Sequence, residues 1–166
     1  QAVSYLIQQG HRKIAVLGGP ATSYPSMMRR QGAQQAMEDA GIRFEDKLYG
    51  LSNYDFESAY HAMNGLLARR AEFTALFAMS DVIAFGAIRA LVSAGLQVPE
   101  DVSVIGFDGI TMSRYCVPVM TTIVQPSEQI ALQSIELLVR QIEHGAPAQT
   151  VTLQPELQQG ESVRAI

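Results

Sequence analysis

Short apolar runs alternate along this chain with longer stretches in which apolar residues return every three or four positions. Ala2, Val3, Leu6 and Ile7 share one helical face, and Gly10 closes that helix near Gln9. Lys13–Leu17 then reads as a strand, and Ser26–Ala40 as a helix stopped by Gly41. Lys47–Leu51 is a short strand. A helix follows from Asp55 or Ser58 to Arg69, and Thr74–Ala78 is a compact apolar strand. Ser80 and Asp81 are both suited to cap a helix that runs to Ala94 and ends at Gly95. Val102–Phe107 is the next strand. Its Val102, Val104 and Ile105 suit a position covered on both faces. Strands alternating with helices predict an α/β fold with a parallel sheet flanked by helices.

Beyond Asp108 the rhythm changes. Thr121–Val124 is β-branched and extended, and Pro126 is placed for the first position of a helix. Ile130, Ala131, Ile135, Leu138 and Ile142 form its apolar face as far as His144, where Gly145 stops it. Val151–Leu153 reads as a final strand. Arg43–Asp46 and Gly145–Gln149 read as surface connections.

Right-handed crossovers bring the loops after Leu17, Leu51, Ala78 and Phe107 to one edge of such a sheet. Those loops carry Ser23–Arg29, Asn53–Asp55, Ser80-Asp81 and Asp108. Open α/β sheets bind ligands at the carboxyl ends of their strands, which is where Asp108 stands. A carboxylate there can accept two hydrogen bonds from neighbouring hydroxyls. Equally, it can start a turn.

Composition narrows the function classes. The 166 residues are 48% hydrophobic and 17% charged, with a net charge of −4, as in an ordinary globular domain. No basic cluster matches a nucleic-acid surface, and Arg29-Arg30 and Arg69-Arg70 read mainly as solvated helix positions. The single cysteine, Cys116, rules out an internal disulfide, and His11, His61 and His144 lack metal-ligand spacing. No apolar run approaches the roughly 20 residues needed to span a membrane. Gly18-Gly19-Pro20 lacks the Lys-Ser/Thr of a P-loop and the spacing of a dinucleotide fingerprint. Ser80 lacks the glycine-flanked elbow of a hydrolase, and no nucleophile and base stand at a recognisable spacing. The sequence thus points to no enzyme, cofactor or metal.

Several segments carry a resemblance. They are Gly10-His11-Arg12-Lys13-Ile14; Arg29 with Gly32; Thr74-Ala75-Leu76-Phe77-Ala78; Ser80-Asp81; and Ala84 with Gly86. Val98-Pro99-Glu100-Asp101-Val102-Ser103-Val104-Ile105-Gly106-Phe107-Asp108 follows, then Pro118, Thr121-Thr122-Ile123 and Gln125-Pro126. In order and spacing, over nearly the whole chain, this resembles the effector-binding core of the LacI/GalR family of bacterial transcription regulators.

The resemblance implies a type I periplasmic-binding-protein-like fold. Residues 1–120 would form its carboxyl-terminal subdomain. Residues 121–145 would be a crossover strand and helix belonging to the amino-terminal subdomain, and 146–166 a return strand and tail. The opening half of the other subdomain and the DNA-binding headpiece would be missing. The 126–144 helix is therefore expected to lay its apolar face on a neighbouring copy or another surface.

Site residues follow by position in the family. Asp108 resembles the cleft carboxylate and Arg29 the effector-contacting arginine. Tyr54 falls where an aromatic ring faces the ligand. Ser80 matches a polar contact or a helix cap, and Gln125 a cleft-facing residue or the cap before Pro126. Asp81 reads as a structural cap. Gly109 departs from the acidic or amide residue common at that position. The implied partners are a small-molecule effector of sugar type and a second copy bound through the carboxyl-terminal subdomain. Among the residues from Asp55 to Ala94, Tyr60, Met63, Leu67, Ile88 and Leu91 read mostly as core. Operator DNA would be bound only through the missing headpiece, in the cytoplasm and without membrane contact. A periplasmic sugar-binding transport protein is the alternative on the same fold.

Overall fold

Five of the apolar runs pair in parallel in the computed structural model, which describes residues 1–145 and 147–166. They are β1 (Ile14–Gly18), β2 (Tyr49–Leu51), β3 (Ala75–Ala78), β4 (Ser103–Asp108) and β5 (Thr121–Val124). A sixth strand, β6 (Glu156–Gln158), joins β5 antiparallel, and the sheet order is β2-β1-β3-β4-β5-β6. The register sets Leu17 beside Ala78, Phe77 beside Ile105, and Phe107 beside Ile123. The order reverses between β1 and β3, so the loops after these strands diverge around a crevice.

The helices are α1 (Ala2–Gln8), α2 (Tyr24–Asp39), α3 (Phe56–Ala68), α4 (Asp81–Ser93) and α5 (Ser127–His144). Alternation of side chains gives each strand two buried faces. Phe77, Ile105, Phe107 and Ile123 lie on the face of α1 and α2. Leu76, Val104 and Gly106 lie on that of α4, which packs along α3. Leu6, Met37, Met63, Leu66, Ile83 and Leu91 close the two layers and are fully or almost fully buried. Met63 and Leu91 are thus core as expected, whereas Tyr60, Leu67 and Ile88 are only partly covered.

Four expectations shift. Helix α2 starts at Tyr24, two residues early, because Pro25 in the first turn has its φ already fixed for a helix. Pro126 is the N-cap of α5 rather than its first residue. Arg30 is not merely solvated: its guanidinium lies 4.6 Å from the Tyr49 ring and 3.3 Å from Asp46. Residues 151–153 form no strand. The strand forms at Glu156–Gln158, where Leu157 pairs with Ile123, and Val151 has no neighbouring strand to bond. The segment expected from 146 begins on Ala146, outside the described residues.

Helix α5 has no buried residue. Ile135, Leu138 and Ile142 of its apolar face are 56–74% exposed, so no described part of the chain covers them.

The segment after β6 is stitched to the opposite end of the sheet. The Ser162 hydroxyl donates to the Val104 carbonyl at 2.6 Å and accepts the Thr121 N–H at 2.8 Å. Ile166 N–H donates to Gln9 at 2.9 Å. Buried His11 spans this junction, with Nε2 3.1 Å from the Arg164 carbonyl and Nδ1 2.9 Å from Thr74 Oγ1. A carbonyl only accepts, so Nε2 carries the proton and Nδ1 accepts from the Thr74 hydroxyl. Burial, more than any neighbour, holds His11 below its ordinary pKa. The unfolded chain therefore takes up this proton first. The stability that neutral His11 provides is complete above about pH 6.5 and is lost as pH falls from there towards the lowered folded value. Denaturant unfolding between pH 8 and 5 should show this decline, and His11→Gln should flatten it.

Candidate functional site

Strand β4 delivers Asp108 to the carboxyl edge of the sheet, where the backbone turns to φ +118°. Tyr54, in the loop between β2 and α3, has φ +61°. Only three described non-glycine residues have positive φ, and two of them are these expected site residues. Such backbone costs about 1–3 kcal/mol per residue and concentrates at functional sites.

Asp108 Oδ1 accepts a 2.7 Å hydrogen bond from Gln125 Nε2 and a longer, 3.4 Å contact from Arg29 Nη2. Gln125 is fixed in turn by its backbone N–H, which donates to the Asp108 carbonyl at 3.1 Å. Arg29 arrives from α2 and lies over the Phe107 ring, 3.9 Å from its centroid. Its Nη1 donates to the Met79 carbonyl. Asp108 Oδ2 has no hydrogen-bond partner among the described residues, which leaves it free as an acceptor. Burial raises the Asp108 pKa, the Arg29 charge opposes the rise, and the Asp81 charge adds to it.

Tyr54 packs against Gly19, where a Cβ would overlap its ring. Its hydroxyl shares a 2.7 Å hydrogen bond with Ser26 of α2. The ring is thereby held between the β1 and β2 loops.

Ser80 makes a capping bond. It is the N-cap of α4, and its hydroxyl accepts the Ile83 N–H at 3.1 Å while 4% of the residue is exposed. Asp81 is the first residue of α4 rather than its cap, and it is fully buried. Its carboxylate accepts from the Thr122 hydroxyl at 2.5 Å and from the Ile110 N–H at 2.8 Å. Gly109 is accounted for by geometry: φ is +73°, and a Cβ would come within 2.8 Å of Val124.

The structure thus brings Asp108, Arg29 and Gln125 into one contact network and holds Tyr54 on the same edge. Sequence reasoning missed Phe107 beneath Arg29, the Met79 carbonyl and the Asp81–Thr122 bond. The strand parity of Phe107 was a usable signal, since it assigns that ring to the face of α2. A cavity of about 180 Å³ adjoins the network at Arg29 and Phe107, with Phe77, Ile123 and Pro155 in its wall. Asp108 itself lies outside that lining. The volume is below the ~300 Å³ at which small-molecule sites begin. No group of three or more described His, Cys, Asp or Glu side chains is arranged to hold a metal ion.

Residues 3–163 match the model of the periplasmic binding protein-like domain. The chain belongs to that family. Over 166 residues it is 37% identical to the transcriptional repressor PurR of Histophilus somni, covering 99% of this chain and 50% of that protein. It is also 37% identical over 142 residues to the transcriptional regulator CelR of Thermobifida fusca, covering 86% and 42%. The chain therefore spans about half the length of the curated relatives it matches.

Among solved structures, a sugar-binding LacI-family regulator from Escherichia coli, complexed with phosphate, superposes with a TM-score of 0.92 at 34% identity. The match covers 99% of this chain and 59% of that one. A complex of the regulator CelR with cellobiose gives 0.93 at 34% identity, covering 98% and 50%. The periplasmic binding protein-like fold expected from the sequence is thus established, and over nearly its whole length this chain is similar to LacI-family regulators.

The Ser26–Tyr54 bond gives a direct test of how the ring is held. A double-mutant cycle of Ser26→Ala and Tyr54→Phe, read by urea unfolding, should give a coupling of about 0.5–1.5 kcal/mol. Additive single effects would show that the hydroxyls do not bond in solution.

Proposed function

We propose that this domain senses a neutral, polyhydroxylated small molecule of sugar type on behalf of a longer transcription regulator. The observation that carries the reading is the Asp108 network at the strand ends. One oxygen of the carboxylate is engaged by Gln125 and Arg29, while the other has no partner among the described residues. Oδ2 would accept a ligand hydroxyl, and Tyr54 would offer a ring face to C–H groups.

Charge favours a neutral ligand. Asp108 offsets Arg29, and buried Asp81 adds a further carboxylate close by, so a phosphorylated ligand would meet no excess of positive charge. Ser80 serves the helix as its cap and is not among the proposed contacts.

The rest of the site would come from the half of the protein that relatives possess beyond this match. A ligand bridging both halves would bind their closed arrangement more tightly and so shift the population of regulator states. DNA contact, dimerisation through the α3–α4 side, cytoplasmic location and the lack of catalysis belong to the same proposal. The regulator names of the relatives favour it over a periplasmic transport protein.

Thermal-shift and calorimetric titration of the full-length regulator with cellobiose, glucose and inorganic phosphate would test it. One of the two sugars should stabilise the protein, and phosphate should not. Asp108→Ala should weaken that binding at least about tenfold, as expected for loss of a hydrogen bond to a charged group, and leave operator binding intact. Full response to the effector in Asp108→Ala would overturn the assignment.

A further inference from the structure

Asp81 is a fully buried carboxylate to which the proposed binding chemistry assigns no task. It makes no ion pair with any described Lys, Arg or His. What it has instead is a set of bonds joining three elements. Oδ1 accepts from Thr122 of β5, Oδ2 accepts from Ile110 in the turn after β4, and the residue itself begins α4. Gly106 of β4 completes the seat, because a Cβ there would overlap Oδ1. Gly106 pairs with Thr122 two residues before Asp108 pairs with Val124. The carboxylate thus grips the β4–β5 pair immediately upstream of Asp108 and the turn immediately downstream.

We propose that Asp81 is the positioning residue of the Asp108 site: it locks the turn that aims Asp108 and opposes that carboxylate's negative charge. The bearing of this role on ligand binding rests on the reading of Asp108 as an effector contact. The positioning itself rests only on the bonds just described.

The opposing groups are few. Asp108 faces Arg29 from α2, the amide of Gln125 after β5, and Asp81 from α4. Asp81 is bonded to the hydroxyl of Thr122, and its charge acts on Asp108 and on the thiol of Cys116 beyond the 111–114 turn. Strands β3 and β5 supply no ionisable side chain. Burial raises the pKa of both aspartates, and their bonds oppose the rise. Two carboxylates in one poorly solvated region titrate as a pair, so removing the charge of either must ease ionisation of the other. Asp81 would thereby keep Asp108 a stronger hydrogen-bond acceptor than Arg29 alone would leave it.

Asparagine separates charge from shape. In Asp81→Asn the amide oxygen can accept from Ile110 while the NH₂ donates to the Thr122 hydroxyl, which accepts as readily as it donates. The bonds survive and the charge is lost. Carboxyl-¹³C NMR titration of the 166-residue chain, with aspartate labelled and Asp108 assigned by its absence in Asp108→Asn, reads the result without any ligand. In Asp81→Asn the proton affinity of Asp108 should fall about three- to tenfold. In Asp108→Asn that of Asp81 should fall by the same factor. Thr122→Val, which removes a donor and keeps both charges, should raise the proton affinity of Asp81 instead.

A purely structural Asp81 would leave the Asp108 midpoint in place in Asp81→Asn, and that result overturns the proposal. Should Asp81→Asn fail to fold, the Asp108→Asn arm decides alone: an unmoved Asp81 midpoint overturns it equally. Sugar binding that survives Asp108→Ala would sink the effector reading and leave this coupling intact. Absent coupling with sugar binding lost would do the reverse.

Discussion

Parallel pairing is the constraint on which this molecule depends. Each of β1 to β5 runs the same way, so every loop that follows one of these strands emerges at the same edge. Groups that are 79 residues apart in sequence, Arg29 and Asp108, meet because of that direction and not because of any local signal. The reversal of order between β1 and β3 opens a crevice at this edge. The remaining requirement is to fill the sheet's faces so that the edge is rigid, which the leucine, isoleucine and methionine side chains of α1 to α4 accomplish.

Polar groups at such an edge must then be satisfied by few partners. Asp108 is three-quarters buried and Arg29 more so, at 26% and 18% side-chain exposure. In so buried an ion pair, 3.4 Å apart, the cost of desolvation offsets much of the attraction. Its environment is what makes it useful. Phe107 supports the guanidinium from below, Met79 takes one of its N–H groups, and Gln125 holds the carboxylate from the side. Each group has one fixed orientation and some unused capacity, which is the condition for recognition with little reorganisation.

Much of this was legible before the structure, and what was not has physical reasons. The alternation of strands and helices and the edge position of Asp108 are local patterns, and they read correctly. Meeting of Arg29, Gln125 and Asp108 followed from topology once the family resemblance had singled those residues out. Ser80 stood open between two tasks, because one hydroxyl suits a cap and a ligand alike; its burial beside Ile83 shows the capping bond. The last strand was misplaced because Val151 and Thr152 have higher strand propensity than Glu156 and Gln158, whereas pairing is decided by which backbone lies beside β5. The Asp81–Thr122 bond was hidden for a similar reason. Nothing in either local sequence points 41 positions away.

The connection between the site and α5 runs through β5. Thr122 receives Asp81, Val124 pairs with Asp108, and Gln125 bonds the same carboxylate. The next residue caps α5, whose apolar face is exposed along its length. In the proposed reading a ligand hydroxyl at Asp108 competes or cooperates with Gln125 for one carboxylate. Any change there acts within two residues of the first turn of α5. The strand is held on both sides, so it cannot absorb the change by sliding. An exposed helix rigidly coupled to a binding carboxylate is a physical means by which occupancy of this wall could alter the surface presented to a second subdomain.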